Sequence, residues 1–108
     1  MSADRSPTEF ELAVYDVVRT VARGRVTTYG GVAARVGRGS ARAVGSALAR
    51  NPFAPEVPCH RVVRADGSLG GFNGHTDGPE LARKRALLHG EGVPFAADGK
   101  VRREAMEE

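Results

Sequence analysis

The residues best suited to chemistry are Cys59 and His60, inside the stretch Pro58-Cys59-His60-Arg61-Val62-Val63. Cys59 is the only cysteine in the 108 residues. A free thiol titrates near about pH 8.5, so at neutral pH it needs a base and local positive charge to act as a nucleophile. His60 is a candidate base. Adjacency in sequence does not bring an imidazole nitrogen to sulfur, so a turn or a bridging water has to. A carboxylate would then orient the imidazole, and Glu91, at the end of the last helix, is placed to fold back onto it. The alternative is plain: a lone cysteine is commonly a small buried hydrophobe. His75, in a loop, and His89, near a helix C-terminus where a cation is favoured, have no comparable setting.

A strongly cationic segment precedes this stretch. Between Asp16 and Glu56 there is no acid, while Arg19, Arg23, Arg25, Arg35, Arg38, Arg42 and Arg50 fall in that interval. The formal net charge of +3 understates this asymmetry. A one-sided field of this kind suits phosphates. Arginine also outnumbers lysine, which occurs only at Lys84 and Lys100. Its planar guanidinium binds phosphate through two hydrogen bonds and stacks on bases. A solvated surface rich in arginine is the bland alternative. A thiol with a base beside a cationic surface points to sulfur chemistry performed on a polyanion, and DNA is the simplest one.

The elements that must position these groups are legible from caps and periodicity. Thr8 and Glu11 form a capping-box pattern, and Phe10, Val14, Val17, Val18 and Val21 recur at helical spacing. This predicts a helix over about 9–22, closed by Gly24. Val26-Thr27-Thr28-Tyr29 reads as a small strand or extended link. A short helix is expected over 31–36, a turn at Gly37 and Gly39, and a second helix over 41–50 capped by Ser40. Two short helices about a glycine turn make a helix-turn-helix pattern. Small residues along the second helix suit close approach to a groove. Pro52, Pro55 and Pro58 hold the next segment extended, and Cys59–Val63 reads as a buried turn entering a strand. Asp66-Gly67 marks a turn, and 69–78 a glycine-rich loop. Pro79 opens a last helix to about His89, with Leu81, Leu87 and Leu88 as its apolar contacts. The fold class expected is mainly α with short strands, a winged helix-turn-helix-like single domain over 1–108. Its core lies at about 9–95, with residues 1–7 and 101–108 as frayed ends.

No apolar run reaches the roughly 20 residues that span a bilayer, and Met1–Glu11 lacks a signal-peptide core. One cysteine provides neither an internal disulfide nor a CxxC metal pair. A cytoplasmic, reducing location is expected, nucleoid-associated in a bacterium, with no membrane partner. No metal site is expected. No dimer helix is evident, so the chain is expected to be monomeric.

Several motifs then act together. Thr28-Tyr29-Gly30, Ala41-Arg42-Ala43-Val44-Gly45, Asn51-Pro52 and the Pro58–Val63 block come in that order. Asp66-Gly67-Ser68-Leu69-Gly70-Gly71-Phe72 and Lys84-Arg85-Ala86-Leu87-Leu88 with Glu91-Gly92 follow. Over residues 9–95 the chain resembles the C-terminal domain of the O6-alkylguanine-DNA alkyltransferases and the related alkyltransferase-like proteins. The resemblance implies that Cys59 accepts an alkyl group from guanine O6 and that His60 acts through a water as base. It implies that Glu91 orients His60 and that Asn51 supports the hinge before the active-site segment. Tyr29 would press on the phosphate 3′ to the lesion and promote rotation of the nucleotide. Arg42 would fill the space the flipped base leaves. Thr28, Ala41, Gly45, Arg50 and Arg61 would join Tyr29 and Arg42 in contacting DNA, and Pro58, Phe72 and Asn73 would line the alkyl pocket. The helix-turn-helix would bind the minor groove of double-stranded DNA. Flipping costs a few kcal/mol, part of which an inserted side chain offsets. A thiolate displacement needs no cofactor, and the thioether product allows one turnover.

The pattern departs from the repair enzymes in three places. They usually carry an N-terminal domain ahead of the stretch matching 9–95, and none is expected here. The loop Asn73–Glu80 is longer than the usual glycine link. The tail from Gly92 to Val101 looks more like the alkyltransferase-like proteins, which flip alkylated guanine without repairing it and hand it to nucleotide excision repair. Those proteins typically carry tryptophan or alanine at the position of Cys59. The residue at 59 therefore favours a minimal alkyltransferase. A lesion sensor is the second reading, and a sequence-specific helix-turn-helix regulator the third.

Overall fold

In the computed structural model the described residues are 6–71 and 78–107. Helix α1 runs Glu9–Arg19. Thr8 Oγ1 accepts from the Glu11 amide at 3.1 Å, and the Glu11 carboxylate accepts from the Thr8 amide at 3.0 Å. Both bonds satisfy amides that the first turn leaves orphaned. The helix stops three residues before the expected 22. Thr20 forms its C-cap and its hydroxyl bonds back to the Val17 carbonyl at 2.7 Å.

Strand β1 is Thr27–Thr28, and α2, Tyr29–Val36, follows at once. Thr28 belongs to the strand and also caps α2, accepting from the Gly31 amide at 2.9 Å. That cap starts α2 two residues earlier than the sequence pattern suggests and puts Tyr29 on its first turn. Gly37, at φ +89°, ends α2 in the left-handed conformation that glycine adopts without steric cost. Ser40 then caps α3, Ala41–Ala49, through the Ala43 amide at 3.1 Å.

Helices α1, α2 and α3 enclose a first core of Val14, Tyr15, Val18, Val32, Val44 and Leu48, into which Cys59 and Val62 also pack. Tyr15 is fully buried, and its hydroxyl donates to the Ala47 carbonyl at 2.7 Å, tying α1 to α3. After a single 3₁₀ turn, Cys59–Arg61, strand β2 (Val62–Val63) pairs parallel to β1 in the register Thr27 to Val62 and Thr28 to Val63. The α2–α3 pair is therefore the crossover between two parallel strands. This pairing fixes the cysteine turn beside the start of α2.

Helix α4, Pro79–Gly90, lies over a second core of Val26, Val63, Leu69, Leu88, Val93, Val101 and Ala105. The mainly α class with short strands is the one observed. Two further expectations fail. Leu87 is 39% exposed, so α4 packs through Leu88 and not Leu87. Residues 101–107 are not frayed: Val101 and Ala105 are buried, and the tail bonds Val26 on both sides, through Ala105 O at 2.9 Å and the Glu107 amide at 2.7 Å. No described helix is long and apolar enough to cross a membrane.

Candidate active site and DNA-facing surface

Asn51 closes the loop that carries the chain to Cys59. Its Nδ2 donates to the Val57 carbonyl at 3.0 Å and its Oδ1 accepts from the Phe53 amide at 2.9 Å. One side chain thus clasps both ends of the segment. Cys59 follows with its amide on Val57 O at 2.8 Å and is 7% exposed. Pro58 is buried with it.

The turn sends His60 to the far end of α4, where Glu91 is the C-cap. His60 Nε2 lies 2.8 Å from Glu91 Oε2. Burial pulls the His60 imidazole below its ordinary value, although the Glu91 carboxylate works to raise it. The neutral ring is therefore favoured, with one nitrogen free to accept a proton. Arg61 grips the same carboxylate: Nε donates to Oε1 at 2.9 Å and Nη2 to Oε2 at 2.9 Å. Its remaining nitrogen Nη1 donates to the Val21 carbonyl at 2.8 Å. Burial works to raise Glu91, but the Arg61 and His60 hydrogen bonds outweigh it and hold the carboxyl at about 2.

Lys84 was not a candidate in the sequence reading. It is fully buried in α4, and Nζ donates to the carbonyls of Val62 at 2.7 Å, Leu69 at 2.5 Å and Gly71 at 2.9 Å. Nζ also stands 3.4 Å from the Tyr29 hydroxyl, which donates to Gly71 O at 3.4 Å. Burial lowers Lys84 to about 7, while a negative charge at Cys59 acts to raise it. A signal existed: Lys84 sits three residues after Leu81 and four before Leu88, on the apolar side of its helix.

The cluster therefore holds a thiol, a neutral imidazole oriented by a carboxylate, and a buried lysine, with a phenol beside the lysine. Residues 9–93 match the model of the 6-O-methylguanine DNA methyltransferase, DNA binding domain, family. The chain belongs to this family. A methylated-DNA-protein-cysteine methyltransferase of Methanothermobacter thermautotrophicus is 50% identical over 86 residues, covering 80% of this chain and 46% of that protein. The protein of the same name from Mycobacterium tuberculosis is 42% identical over 96 residues, covering 88% and 55%. Among solved structures, M. tuberculosis OGT in complex with DNA superposes with a TM-score of 0.71 at 42% identity, over 82% of this chain and 53% of that one. S. pombe Atl1 in complex with damaged DNA containing O6-carboxymethylguanine gives 0.76 at 31% identity, over 93% and 95%. The chain spans about half the length of the curated relatives it matches and nearly all of the Atl1 chain.

Within this family domain, the residues expected to face DNA divide into groups. Ala41 and Arg42 are exposed on the first turn of α3. Gly45 lies one turn on, where a Cβ would be 3.9 Å from the Tyr29 ring, so α3 and the tyrosine share one surface. The Thr28 hydroxyl is engaged as the cap of α2. Arg50 is exposed, but its guanidinium is bound to the buried Glu11 carboxylate. Arg61, expected among the DNA contacts, has three of its nitrogens bonded to Glu91 and Val21, so its guanidinium is engaged within the protein. Phe72 and Asn73, expected in the alkyl pocket, lie outside the described residues. A groove of about 500 Å³ runs beside α3, lined by Phe10, Glu11, Ser40, Arg42, Ser46 and Arg50. Cys59 does not line it.

Proposed function

We propose that this chain binds double-stranded DNA containing O6-alkylguanine, turns the damaged nucleotide out, and takes the alkyl group onto Cys59. One observation carries the reading: Cys59 is followed by an imidazole whose Nε2 is held by Glu91 at 2.8 Å. Because a carboxylate only accepts, Nε2 carries the hydrogen, and Nδ1 is left to take the thiol proton through a bridging water. The thiolate sulfur attacks the alkyl carbon in line with the leaving oxygen. A C–S bond forms, the C–O bond breaks, and its electron pair stays with guanine, which takes up one proton. The thioether does not revert, so each molecule reacts once. Tyr29 would press the phosphate beside the lesion, Arg42 would occupy the vacated stack, and Asn51 would hold the hinge. The chain would act as a monomer on the minor groove.

A second reading has its own support. Cys59 is only 7% exposed, and the likeness to S. pombe Atl1 covers 95% of that chain. A sensor would hold the flipped base without reacting and recruit nucleotide excision repair proteins. Intact-mass measurement after incubation with an O6-methylguanine duplex separates the two. A gain of one methylene, absent in Cys59→Ser, supports transfer. Lesion-selective binding without a mass change supports the sensor. Equal binding to damaged and undamaged duplex overturns both.

A further inference from the structure

Arg61 stands in the middle of the reactive sequence block, yet its hydrogen bonds go inward, to Glu91 and to Val21 just after α1. We propose that Arg61 is a positioning residue for Cys59 chemistry, holding the Glu91 carboxylate in one orientation so that His60 keeps Nε2–H on Glu91 and leaves Nδ1 free. This rests on the transfer reading only for its kinetic consequence; the effect on His60 stands without it.

The geometry makes the fork specific. Arg61 Nη2 and His60 Nε2 converge on the same atom, Glu91 Oε2, while Arg61 Nε takes Oε1. Two parallel N–H donors fix the carboxylate plane, which a single lysine ammonium does not do. The third contact, Nη1 to Val21 O, anchors the guanidinium from the side of α1. The carboxylate cannot swing without breaking one of these bonds.

Charge gives the fork its second effect. The charged groups that act on His60 are Glu91, Arg61 and Lys84. Glu91 alone favours imidazolium, whose Nδ1 carries a proton and accepts nothing. Arg61 and Lys84 both oppose that charge, and burial opposes it further. Removing Arg61 tips the balance toward imidazolium and so removes the acceptor that the thiol needs.

The test uses the whole chain with Arg61→Met and Arg61→Lys. Long-range ¹⁵N–¹H spectra of His60 report its tautomer and protonation whether or not the protein transfers alkyl groups. In the wild type the Nε2–H tautomer persists through neutral pH. In Arg61→Met the imidazolium persists to higher pH, and the acid limb of the transfer rate moves up with it. At pH 7 the rate falls on the order of tenfold, comparable to the low end of the loss when the outer partner of a metal-bound imidazole is removed. Affinity for lesion DNA stays within twofold, since the Arg61 guanidinium is already bonded to Glu91 and Val21. Arg61→Lys keeps the charge but not the fork, so it restores the His60 titration and only part of the rate. If Arg61→Met does not fold, Arg61→Lys decides: a full wild-type rate there overturns the proposal. An unchanged His60 titration in a folded Arg61→Met also overturns it. A wild type that transfers nothing sinks the transfer reading, and the His60 spectra still decide the role of Arg61.

Discussion

Tyr29 lies against Gly70 with no room for a side chain: a Cβ there would sit 2.8 Å from the Tyr29 hydroxyl and 2.9 Å from Cε2. Gly70 also has φ +74°. The glycine is therefore required twice, by its backbone and by the phenol above it. Gly70→Ala is expected to cost about 1–2 kcal/mol from the left-handed conformation alone. That corresponds to a Tm lower by roughly 5–10 °C in a domain of this size. The same change pushes Tyr29 off the α3 surface, so lesion affinity should fall as well. An unchanged melting curve would show that the loop relaxes away from the tyrosine.

Glu91 links the acid stability of the fold to its site. In the folded state its carboxyl titrates at about 2, against about 4.3 in an unfolded chain. The stabilisation it contributes is thus present above about pH 4.3 and is lost as pH falls toward 2. Glu91→Gln should remove this dependence and leave Arg61 buried without its counter-charge, at a cost of about 3–5 kcal/mol near neutral pH. Urea denaturation at pH 7 and at pH 3 measures both. The variant should lie well below the wild type at pH 7 and closer to it at pH 3. A constant gap across that range would contradict the assignment.

These two sites also show what the sequence could and could not reveal. The starts of α1 and α3 were legible because Thr8 and Ser40 announce their caps locally. The pairing of His60 with Glu91 was legible as a chemical need, once a thiol and a base stood together. The ion pair of Arg61 was not legible, because its type suggests a phosphate contact and its partner lies 30 residues away at the C-cap of α4. The tail was misread for the same reason: Val101 and Ala105 have no periodicity of their own, and they are buried because Val26 bonds the tail. Lys84 had a local signal in its place between Leu81 and Leu88. A lysine in an apolar stripe becomes intelligible only when three carbonyls converge on it.

Lys84 predicts a second pH dependence, opposite in position to that of Glu91. It titrates at about 7 in the fold and near about 10.4 when unfolded. Between those values the unfolded chain holds a proton that the folded chain lacks, so stability rises with pH across that window. Below about 7 both states are protonated and the burial cost is fully present. The wild type should therefore gain on Lys84→Met between pH 7 and 10, on the order of a few kcal/mol. The three carbonyl acceptors pull the other way, and a flat difference would mean that they keep the ammonium charged throughout. Lys84→Met should also loosen the turn that carries Cys59, because it removes the bond to the Val62 carbonyl.

The arginines at the two ends of α3 should behave differently on DNA, because Arg42 stands exposed on the first turn and the C-cap Arg50, also exposed, is bound to Glu11. Arg42→Ala should weaken binding to an O6-alkylguanine duplex much more than to the undamaged duplex, since a residue that fills the vacated stack acts only when a base has left it. Arg50→Ala should weaken both equally and slightly. Salt titrations followed by fluorescence anisotropy give a second readout. Each phosphate contact contributes about 0.9 to the slope of log K against log salt. Arg50→Ala should change that slope by much less than one contact, because Glu11 already neutralises the guanidinium. Glu11→Gln should steepen it by freeing Arg50 for phosphate. An equal loss on both duplexes for Arg42→Ala would reduce that residue to a backbone contact and leave the flipped state supported by Tyr29 alone.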